Sequence, residues 1–350
     1  MIDPIQATHS TFWRALAQFA PETNARILFL AAAPFAESAL AELGVSKAQI
    51  DCVQPWRPPA KALQERGYRL ITEVGSNYDQ VWILPGQHRD ENRANFALAL
   101  TAVREGGLVI AAMHNEVGAE RFQKNFKQLF GAVESLSKAH CRAFWTHKGS
   151  EFDTALLEEW RAFLIPGKVS GTTFVAPAGG TNSQHIDKGS KIFSDTLATE
   201  MVVGAGADLG AGYGYLTHSV LANVANQISS VELVDADRRA LDAALINLAP
   251  FSAHTRLARH WCDVCDQGDV ASLPTELDWI LMKAPLHQHR QHAISLGHRF
   301  ITVAAGRLRP GGVLFMVANE GFGFDGVLKS KFSVISILAH RDGFKVFRAK

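Results

Sequence analysis

The feature that most constrains the fold is a run of alternating glycines in the second half of the chain, within the segment Ala207–Thr217. Asp208 closes a short apolar run, and Gly210, Gly212 and Gly214 follow it at every second position. Glycine reaches positive φ values and carries no Cβ, so such a turn reverses sharply and leaves bare backbone. The segment therefore predicts a strand, a tight turn and a helix start, with room for a nucleoside-bearing cofactor against the turn.

Length and composition narrow the class of protein. The chain has 350 residues, which predicts two domains, and its 47% hydrophobic and 20% charged residues are typical of a soluble globular protein. With 35 basic and 34 acidic residues, it lacks the strong positive charge of a general nucleic-acid binder, so DNA is not an expected partner. The N-terminus resembles no signal peptide and no stretch is apolar enough to span a bilayer, which favours a cytoplasmic location without membrane contact.

Two groups of potential metal ligands lack the spacing that is typical of metal sites. Cys262 and Cys265 form a C-x-x-C motif without a second pair at zinc spacing. Four histidines crowd the stretch from His287 to His298, but no carboxylate or cysteine joins them at ligand spacing. We therefore expect no metal site.

Strand-like and helix-like segments alternate along the first half. The pattern predicts strands at Arg26–Ala32, Asp79–Pro85 and Leu108–Met113, and helices at Pro58–Arg66, Asn92–Arg104 and Ala119–Phe130. Alternation of this kind indicates a parallel sheet with crossover helices. The stretch 166–190 is rich in Pro, Gly, Thr and Ser, which predicts a linker.

The second half shows the same alternation more clearly. Its strand candidates are Gly206–Leu209, Ser230–Val234, Arg256–Trp261, Leu277–Met282, Val313–Ala318, Val334–His340 and Phe344–Ala349. The last two are joined by Arg341-Asp-Gly343, which is a hairpin signal. Five parallel strands followed by an antiparallel pair are the arrangement of class I S-adenosylmethionine methyltransferases.

The two halves also resemble each other. The segment Asp79–His88 and the segment Asp278–His287 share the same Asp-to-His spacing, and a helix and a Gly-Gly strand follow each of them. This predicts a duplicated α/β domain. In the first copy the glycine turn is replaced by Leu30-Ala-Ala-Ala-Pro-Phe35, with neither a glycine nor an acid. We therefore predict two Rossmann-like doubly wound domains: a degenerate one at 1–165 and, after the linker, a seven-stranded cofactor-binding one at 191–350.

Two further acidic residues indicate which cofactor the turn would bind. The alternate glycine spacing with a preceding acid favours S-adenosylmethionine over a nicotinamide dinucleotide. Asp235 ends the next strand, where a carboxylate can accept hydrogen bonds from both ribose hydroxyls, while Asp237 is the better candidate for capping the following helix. Asp263 follows the third strand, and it is either an acceptor for the adenine amine or a solvated loop acid. The expected cofactor contacts are thus Asp208, Gly210, Gly212, Gly214, Asp235 and Asp263.

Together these motifs resemble the RsmC/RlmG family of ribosomal RNA guanine-N2 methyltransferases. The resemblance is carried by Lys191–Ser194 ahead of the turn, by Asp208–Gly212 in it and by the C-terminal segment Gly343–Ala349. It implies a duplicated α/β architecture with a degenerate first copy. It also implies S-adenosylmethionine as cofactor, ribosomal RNA or a ribosomal subunit as partner, and the exocyclic amine of a guanine as target.

One motif departs from the family pattern. Where the family has Asn-Pro-Pro-Phe-His at the end of the fourth strand, this chain has Lys283-Ala-Pro-Leu-His287. The family's Asn accepts a hydrogen bond from the target amine, which a protonated lysine cannot do. Lys283, Pro285 and His287 are the catalytic candidates at this position. The alternatives are a relative that binds cofactor or RNA without catalysis, or a methyltransferase for a different substrate, either non-guanine or a small molecule.

Overall fold

A computed structural model describes residues 4–179, 185–223, 227–284 and 290–350 of the chain. The chain folds into two compact units, Met1–Ile165 and Pro166–Lys350. Each unit contains a seven-stranded sheet. Each unit therefore has its own sheet and its own apolar clusters.

The first unit alternates strands and helices as the sequence predicts. Its strands are β1 (Ile27–Leu30), β2 (Ile50–Val53), β3 (Arg69–Leu70), β4 (Tyr78–Ile83), β5 (Val103–His114), β6 (Glu134–Lys138) and β7 (Cys141–His147). Its helices are α1 (Pro4–Leu16), α2 (Glu37–Glu42), α3 (Arg57–Glu65), α4 (Arg89–Ala102), α5 (Ala119–Phe130) and α6 (Thr154–Arg161). The three predicted strands correspond to β1, β4 and β5, and the three predicted helices to α3, α4 and α5.

The second unit follows the same plan after a short hairpin. Its strands are β8 (Gly167–Lys168), β9 (Val175–Ala176), β10 (Val203–Leu209), β11 (Gln227–Asp235), β12 (Arg256–Trp261), β13 (Leu277–Lys283), β14 (Leu308–Asn319), β15 (Ile335–Arg341) and β16 (Phe344–Ala349). Its helices are α7 (Lys188–Leu197), α8 (Tyr215–Leu221), α9 (Arg238–Leu248), α10 (Gln267–Ala271), α11 (Arg290–Arg307) and α12 (Asp325–Lys331). Short 3₁₀ segments lie at Ala17–Phe19, Lys47–Gln49, Asn115–Val117, Ala162–Leu164, Ala249–Phe251 and Glu320–Phe322.

The two sheets have one topology. The strand order is β3-β2-β1-β4-β5-β7-β6 in the first unit and β12-β11-β10-β13-β14-β16-β15 in the second. In both, five strands run parallel and the last two join as an antiparallel pair. The second hairpin turns at Asp342 and Gly343, whose φ values of 53° and 78° suit a tight turn. The predicted fold class, including the seven-stranded second sheet, is confirmed.

The central strands are buried because helices cover both faces of each sheet. All four residues of β1 are buried, and both sheets contribute apolar residues to two separate clusters, one on each face. Continuous apolar runs of this kind are typical of parallel strands, whose crossover helices lie on both sides. The carboxyl ends of these strands therefore form the edge where polar side chains can be presented.

The stretch predicted as a linker contains a small structured element. β8 and β9 pair as an antiparallel hairpin within the second unit. Asn247, on α9, accepts from the Val175 N–H at 2.9 Å and donates to the carbonyls of Val175 and Tyr213, both at 2.8 Å. Since Tyr213 belongs to the glycine turn, one amide side chain ties the hairpin to that turn.

Of the helices that the structure describes, none is both long and apolar enough to cross a membrane.

Replacing Asn247 with alanine tests this connection. The variant loses three hydrogen bonds at once, so we expect the second unit to lose about 2 kcal/mol of stability and the Val175 amide to exchange faster. Hydrogen exchange and urea unfolding measure both effects. Asn125→Ala, which removes an exposed side-chain contact with Gln128 in the first unit, is the control. Unchanged exchange at Val175 would contradict the role of Asn247.

Candidate functional site

The glycine turn follows β10 at the carboxyl edge of the second sheet. Gly210, Gly212 and Gly214 have φ values of 79°, 54° and 84°, a region that residues with a Cβ rarely adopt. A Cβ at Gly214 would lie 3.2 Å from the Cβ of Ala244, so the turn packs tightly against α9 there. A Cβ at Gly212 would meet no atom within 4 Å, which leaves its backbone open to a ligand. The predicted turn is present, and one face of it is accessible.

Asp235 ends β11 beside this turn and holds it in place. Its carboxylate accepts hydrogen bonds from the backbone N–H groups of Gly212 and Asp237, both at 2.8 Å. Burial raises the pKa of Asp235 to about 6, although these backbone hydrogen bonds act in the opposite direction. The cap of α9 is Asp237, which accepts from the Arg239 N–H at 3.0 Å, so the helix-capping role falls to Asp237 as predicted.

Asp208 is the most buried acid of the site. It is fully inaccessible, and its Oδ2 accepts a hydrogen bond from the Thr217 hydroxyl at 2.7 Å. Its Oδ1 is buried and has no hydrogen-bond partner within the part of the chain that the structure describes. Burial raises the pKa of Asp208 to about 7, against the effect of the Thr217 bond. An orphaned buried oxygen is costly in a folded protein, and it suits a site that receives a donor from a bound group.

Asp263 lies where the loop after β12 begins. Its carboxylate accepts from the Cys265 N–H at 2.9 Å, and its own N–H donates to Asp269 at 3.0 Å. The side chain is half-buried, so it stabilises its own loop. Its role at the adenine amine stays a prediction. Among the described residues, no three His, Cys, Asp or Glu side chains are grouped as metal ligands.

Lys283, the last residue of β13, forms an ion pair at the same edge. Its Nζ lies 2.5 Å from Oδ2 of Asp187 and 3.2 Å from Oγ of Ser190. Asp187 is the N-cap of α7 and accepts from the Ser190 N–H at 3.1 Å. Lys283 therefore connects two elements that are far apart in sequence. Pro285 and His287, the other catalytic candidates, lie outside the described residues.

The surroundings of this ion pair explain its charge state. The side chains of Lys283 and Asp187 are 14% and 21% exposed. Burial would raise the pKa of Asp187, but the charge and hydrogen bond of Lys283 outweigh it, and the net pKa is lowered. Burial lowers the pKa of Lys283, and Asp187 opposes that shift. The phenol of Tyr213 has its pKa raised to about 12, by burial first and then by the negative charge of Asp187, so the glycine turn and the ion pair influence each other.

The sequence reasoning missed Asp187 and Ser190. A signal for them exists in Asp187-Lys-Gly-Ser190, where an acid precedes a helix by one position and a serine follows three residues later. Gly189 in this segment is also required, since a Cβ there would lie 2.8 Å from the ring of Phe344. The glycine brings α7 close to β16 and so places Asp187 beside the end of β13.

The register of the first sheet identifies its equivalent positions. Leu30 pairs with Val53 as Leu209 pairs with Val234, so Phe29 corresponds to Asp208, and Gln54 corresponds to Asp235. The residue after Leu30 is Ala31, which keeps a positive φ of 50° at the position of Gly210. The first unit thus retains one of the three positive-φ positions of the turn and none of its glycines.

The side chains at these equivalent positions differ in chemistry between the two units. Gln54 accepts from the Trp56 N–H at 2.9 Å, as Asp235 does from Asp237, but its amide nitrogen donates to the Ala32 carbonyl at 2.8 Å. Phe35 follows the turn, is buried, and stacks on Phe29 with a ring separation of 5.0 Å. Aromatic packing thus occupies the area beside the turn in the first unit.

Comparison with known families gives a clear match for the second unit. The family described as "Methyltransferase small domain" matches residues 171–348. Ribosomal RNA large subunit methyltransferase G of Alcanivorax borkumensis is 30% identical over 174 residues, which cover 49% of this chain and 43% of that protein. Ribosomal RNA small subunit methyltransferase C of Shewanella loihica is 20% identical over 69% of this chain and 68% of that protein. The chain thus spans less than half of the length of the first relative and about two thirds of the second.

A solved structure extends the likeness to the whole chain. The T. thermophilus 16S rRNA N2 G1207 methyltransferase RsmC, determined in complex with AdoMet and guanosine, superimposes with a TM-score of 0.76 at 21% identity. The superposition covers 98% of this chain and 91% of that one. The duplicated fold inferred from the sequence and its resemblance to the RsmC/RlmG family are confirmed.

The raised pKa of Asp208 makes stability depend on pH. The folded protein holds this proton up to about pH 7, whereas an unfolded chain releases it near the ordinary value of 3.8, so stability falls as pH rises between these limits. We expect the stability of Asp208→Asn relative to the wild type to rise by about 3 kcal/mol from about pH 5 to about pH 8. Urea unfolding at both pH values measures the difference. A pH-independent effect of Asp208→Asn would contradict the burial argument.

Proposed function

Since this chain belongs to the methyltransferase small domain family, we propose that it is an S-adenosylmethionine-dependent methyltransferase acting on the exocyclic amine of a guanine in ribosomal RNA. The observation that carries the proposal is the open glycine turn bounded by two carboxylates, Asp208 and Asp235. The relatives that share the fold are named as ribosomal RNA methyltransferases.

The residues at the turn fit the cofactor. Asp235 lies where a carboxylate accepts hydrogen bonds from ribose hydroxyls, and the backbone at Gly212 is open to a ligand. The unpartnered Oδ1 of Asp208 offers an acceptor below the turn, and Asp263 is a candidate acceptor for the adenine amine. S-adenosylmethionine supplies a methyl group on a sulfonium sulfur. Transfer of this methyl group to an amine would form one N–C bond, break one C–S bond with the electron pair staying on sulfur, and release one proton from nitrogen to solvent.

The RNA substrate is inferred from the names of the relatives, and the charge of the chain bears on the kind of RNA site. A net charge of +1 does not favour tight, sequence-independent binding to nucleic acids. A defined site on ribosomal RNA, or on a ribosomal subunit, fits this charge better than naked nucleic acid in general. Such a substrate implies that the protein acts in the cytoplasm.

The first unit has a different role in this proposal. Its turn carries Ala31 in place of a glycine, and Gln54 presents an amide where the second unit has a carboxylate. Phe35 adds a buried ring beside that turn. We therefore assign the single cofactor site to the second unit and regard residues 1–165 as a degenerate copy.

One observation favours a second candidate. Lys283 replaces the hydrogen-bond acceptor of the family motif and is engaged by Asp187. A protein that holds S-adenosylmethionine without transferring its methyl group, or that methylates another substrate, would tolerate this change.

A methyl-transfer assay separates these candidates. The chain is incubated with labelled S-adenosylmethionine and with ribosomal subunits that lack the modification, and the RNA is digested to nucleosides for mass spectrometry. The proposal predicts label in N2-methylguanosine. Label in another nucleoside would favour a different substrate. Cofactor binding without methyl transfer would favour a protein that holds S-adenosylmethionine without catalysis.

Substitution at the two equivalent positions tests the cofactor site. Asp235→Ala removes the ribose acceptor and the bond to Gly212, so we expect the affinity for S-adenosylmethionine to fall by at least about tenfold. Gln54→Ala, which removes the analogous backbone contact in the first unit, should leave the affinity unchanged. Isothermal titration calorimetry measures both. An equal loss in both variants would contradict a site in the second unit.

A further inference from the structure

The outermost strand of the second sheet, β12, carries an arginine on each of its faces. Arg256 and Arg259 lie three positions apart, so their side chains leave opposite faces of the strand. Because β12 is the terminal strand in the sheet order, its outer backbone edge lies between them. Arg238, at the start of α9, adds a third guanidinium group, whose carbon lies 5.3 Å from the ring centre of Trp261 at the end of β12. We call Arg238, Arg256 and Arg259 the arginine row.

The two strand arginines have hydrogen-bond donors left for a ligand. Arg256 donates from one nitrogen, Nη2, to Glu232, and Arg259 donates from one nitrogen, Nη1, to Asp242. Within the described part of the chain, neither guanidinium has a further hydrogen-bond or ion-pair partner. A guanidinium group carries five N–H donors. Most donors of both groups are therefore available, and the side chains are 63% and 50% exposed.

The surface at this strand is positive because the carboxylate that balances Arg256 is buried. The side chain of Glu232 is only 3% exposed, and its second oxygen lies 2.7 Å from Nε2 of His260. Both oxygens of Glu232 are thus engaged beneath the strand, and a ligand that approaches from solvent meets the guanidinium first. Asp242, the partner of Arg259, is half exposed. The row therefore presents three guanidinium groups beside one exposed carboxylate.

The opposite edge of the same sheet has a different balance. Arg341 on β15 pairs with Asp195, and His340 pairs with Glu320. In both pairs the base and the acid are about equally exposed, so their charges cancel at the surface. In a chain whose net charge is +1, RNA binding needs a local concentration of positive charge, and β12 provides one.

We propose that the arginine row binds the phosphate backbone of the RNA substrate beside the target nucleotide. Arg256 and Arg259 are about 10 Å apart along the strand, a spacing that suits a chain of phosphates better than a single anion. Arginine forms bidentate hydrogen bonds with phosphate, and main-chain N–H groups of the open strand edge are further phosphate donors. The inference rests on the proposed function, and it names the surface that holds its substrate.

The position of the row fits RNA that lies beside the cofactor site. In the register of β11 and β12, Trp261 lies opposite Asp235, so the row reaches the carboxyl edge of the sheet. Two strands, β11 and β10, separate β12 from β13, which places β12 about 14 Å from the strand that ends at Lys283. RNA on the row therefore contributes flanking nucleotides, whereas the target base lies nearer the end of β13.

Substitution of the two strand arginines tests the row. The probes are unmodified transcripts of small-subunit and large-subunit ribosomal RNA, and ribosomal subunits that lack the modification. For Arg256→Gln and for Arg259→Gln, we expect the affinity for the bound transcript to fall by about five- to eightfold at ~0.1 M salt, with a salt slope shallower by about 0.7 to 0.9. Filter binding over a range of salt concentrations measures both. The affinity for S-adenosylmethionine should stay unchanged, because the contacts of both arginines lie outside the glycine turn.

Arg69→Gln in the first unit is the matched control. Arg69 lies on β3, the outermost strand there, and its 64% exposed side chain pairs with Asp51, which is 7% exposed. Its substitution leaves a buried carboxylate without its arginine, as Arg256→Gln does, so a general loss of stability is matched. Since β3 has two residues and one arginine, we expect no loss of RNA affinity. Thermal unfolding checks every variant, and Arg259→Gln keeps the test decisive if Arg256→Gln does not fold.

The outcomes distinguish this inference from the function on which it rests. Unchanged affinity and salt slope in both strand variants, with methyl transfer to RNA by the wild type, would overturn the row and leave the proposed function standing. An equal loss of affinity in Arg69→Gln would also overturn the row. Weaker binding of subunits with unchanged binding of protein-free RNA would overturn the RNA contact by assigning the row to a ribosomal protein. A wild type that neither binds nor methylates RNA would contradict the proposed function and the row together.

Discussion

The hydrogen bond from the Gly212 N–H to the Asp235 carboxylate determines the shape of the site. It joins the turn after β10 to the end of β11, two neighbouring parallel strands whose carboxyl ends meet at one edge. The bond orients the carboxylate relative to the turn. Burial of Asp235 is costly, as its raised pKa of about 6 shows, and the backbone N–H groups offset part of this cost. A carboxylate that is buried at this cost suits a ligand that donates several hydrogen bonds.

The two units show how few side chains separate a binding turn from a packed one. Both have the same strand order, and the first keeps a positive φ at Ala31. What differs is the chemistry at the strand ends: an aromatic ring at Phe29 where the second unit has Asp208, and an amide at Gln54 where it has Asp235. The fold is thus maintained by its apolar strands, whereas ligand binding depends on a few polar positions.

The structure confirms the predictions that rest on local sequence patterns. Strands β13 and β14 of the second sheet were predictable because each contains a continuous apolar run, and Arg256–Trp261 and Phe344–Ala349 have the predicted bounds. The glycine turn was predictable because residues with a Cβ rarely adopt its φ values. By contrast, the two-residue strand β3 is too short for a periodic pattern to reveal it, and β6 has exposed polar residues at nearly every position.

Long-range contacts of the site were outside the reach of the sequence. Lys283 was identified as a departure from the family motif, but its partner lies 96 residues away, and no local pattern links the two. The sequence therefore suggested a cation without an acceptor, whereas the structure places the Asp187 carboxylate against it. The substitution thus introduces one half of an ion pair rather than an isolated cation.

The central claim is that one unit of a duplicated protein retains the cofactor site. The most direct test is the stoichiometry of S-adenosylmethionine binding to the full chain, measured by isothermal titration calorimetry with an independently determined protein concentration. The account predicts one molecule of cofactor per chain. Two molecules per chain would contradict the assignment of the first unit as degenerate, and the absence of binding would contradict the site at the glycine turn.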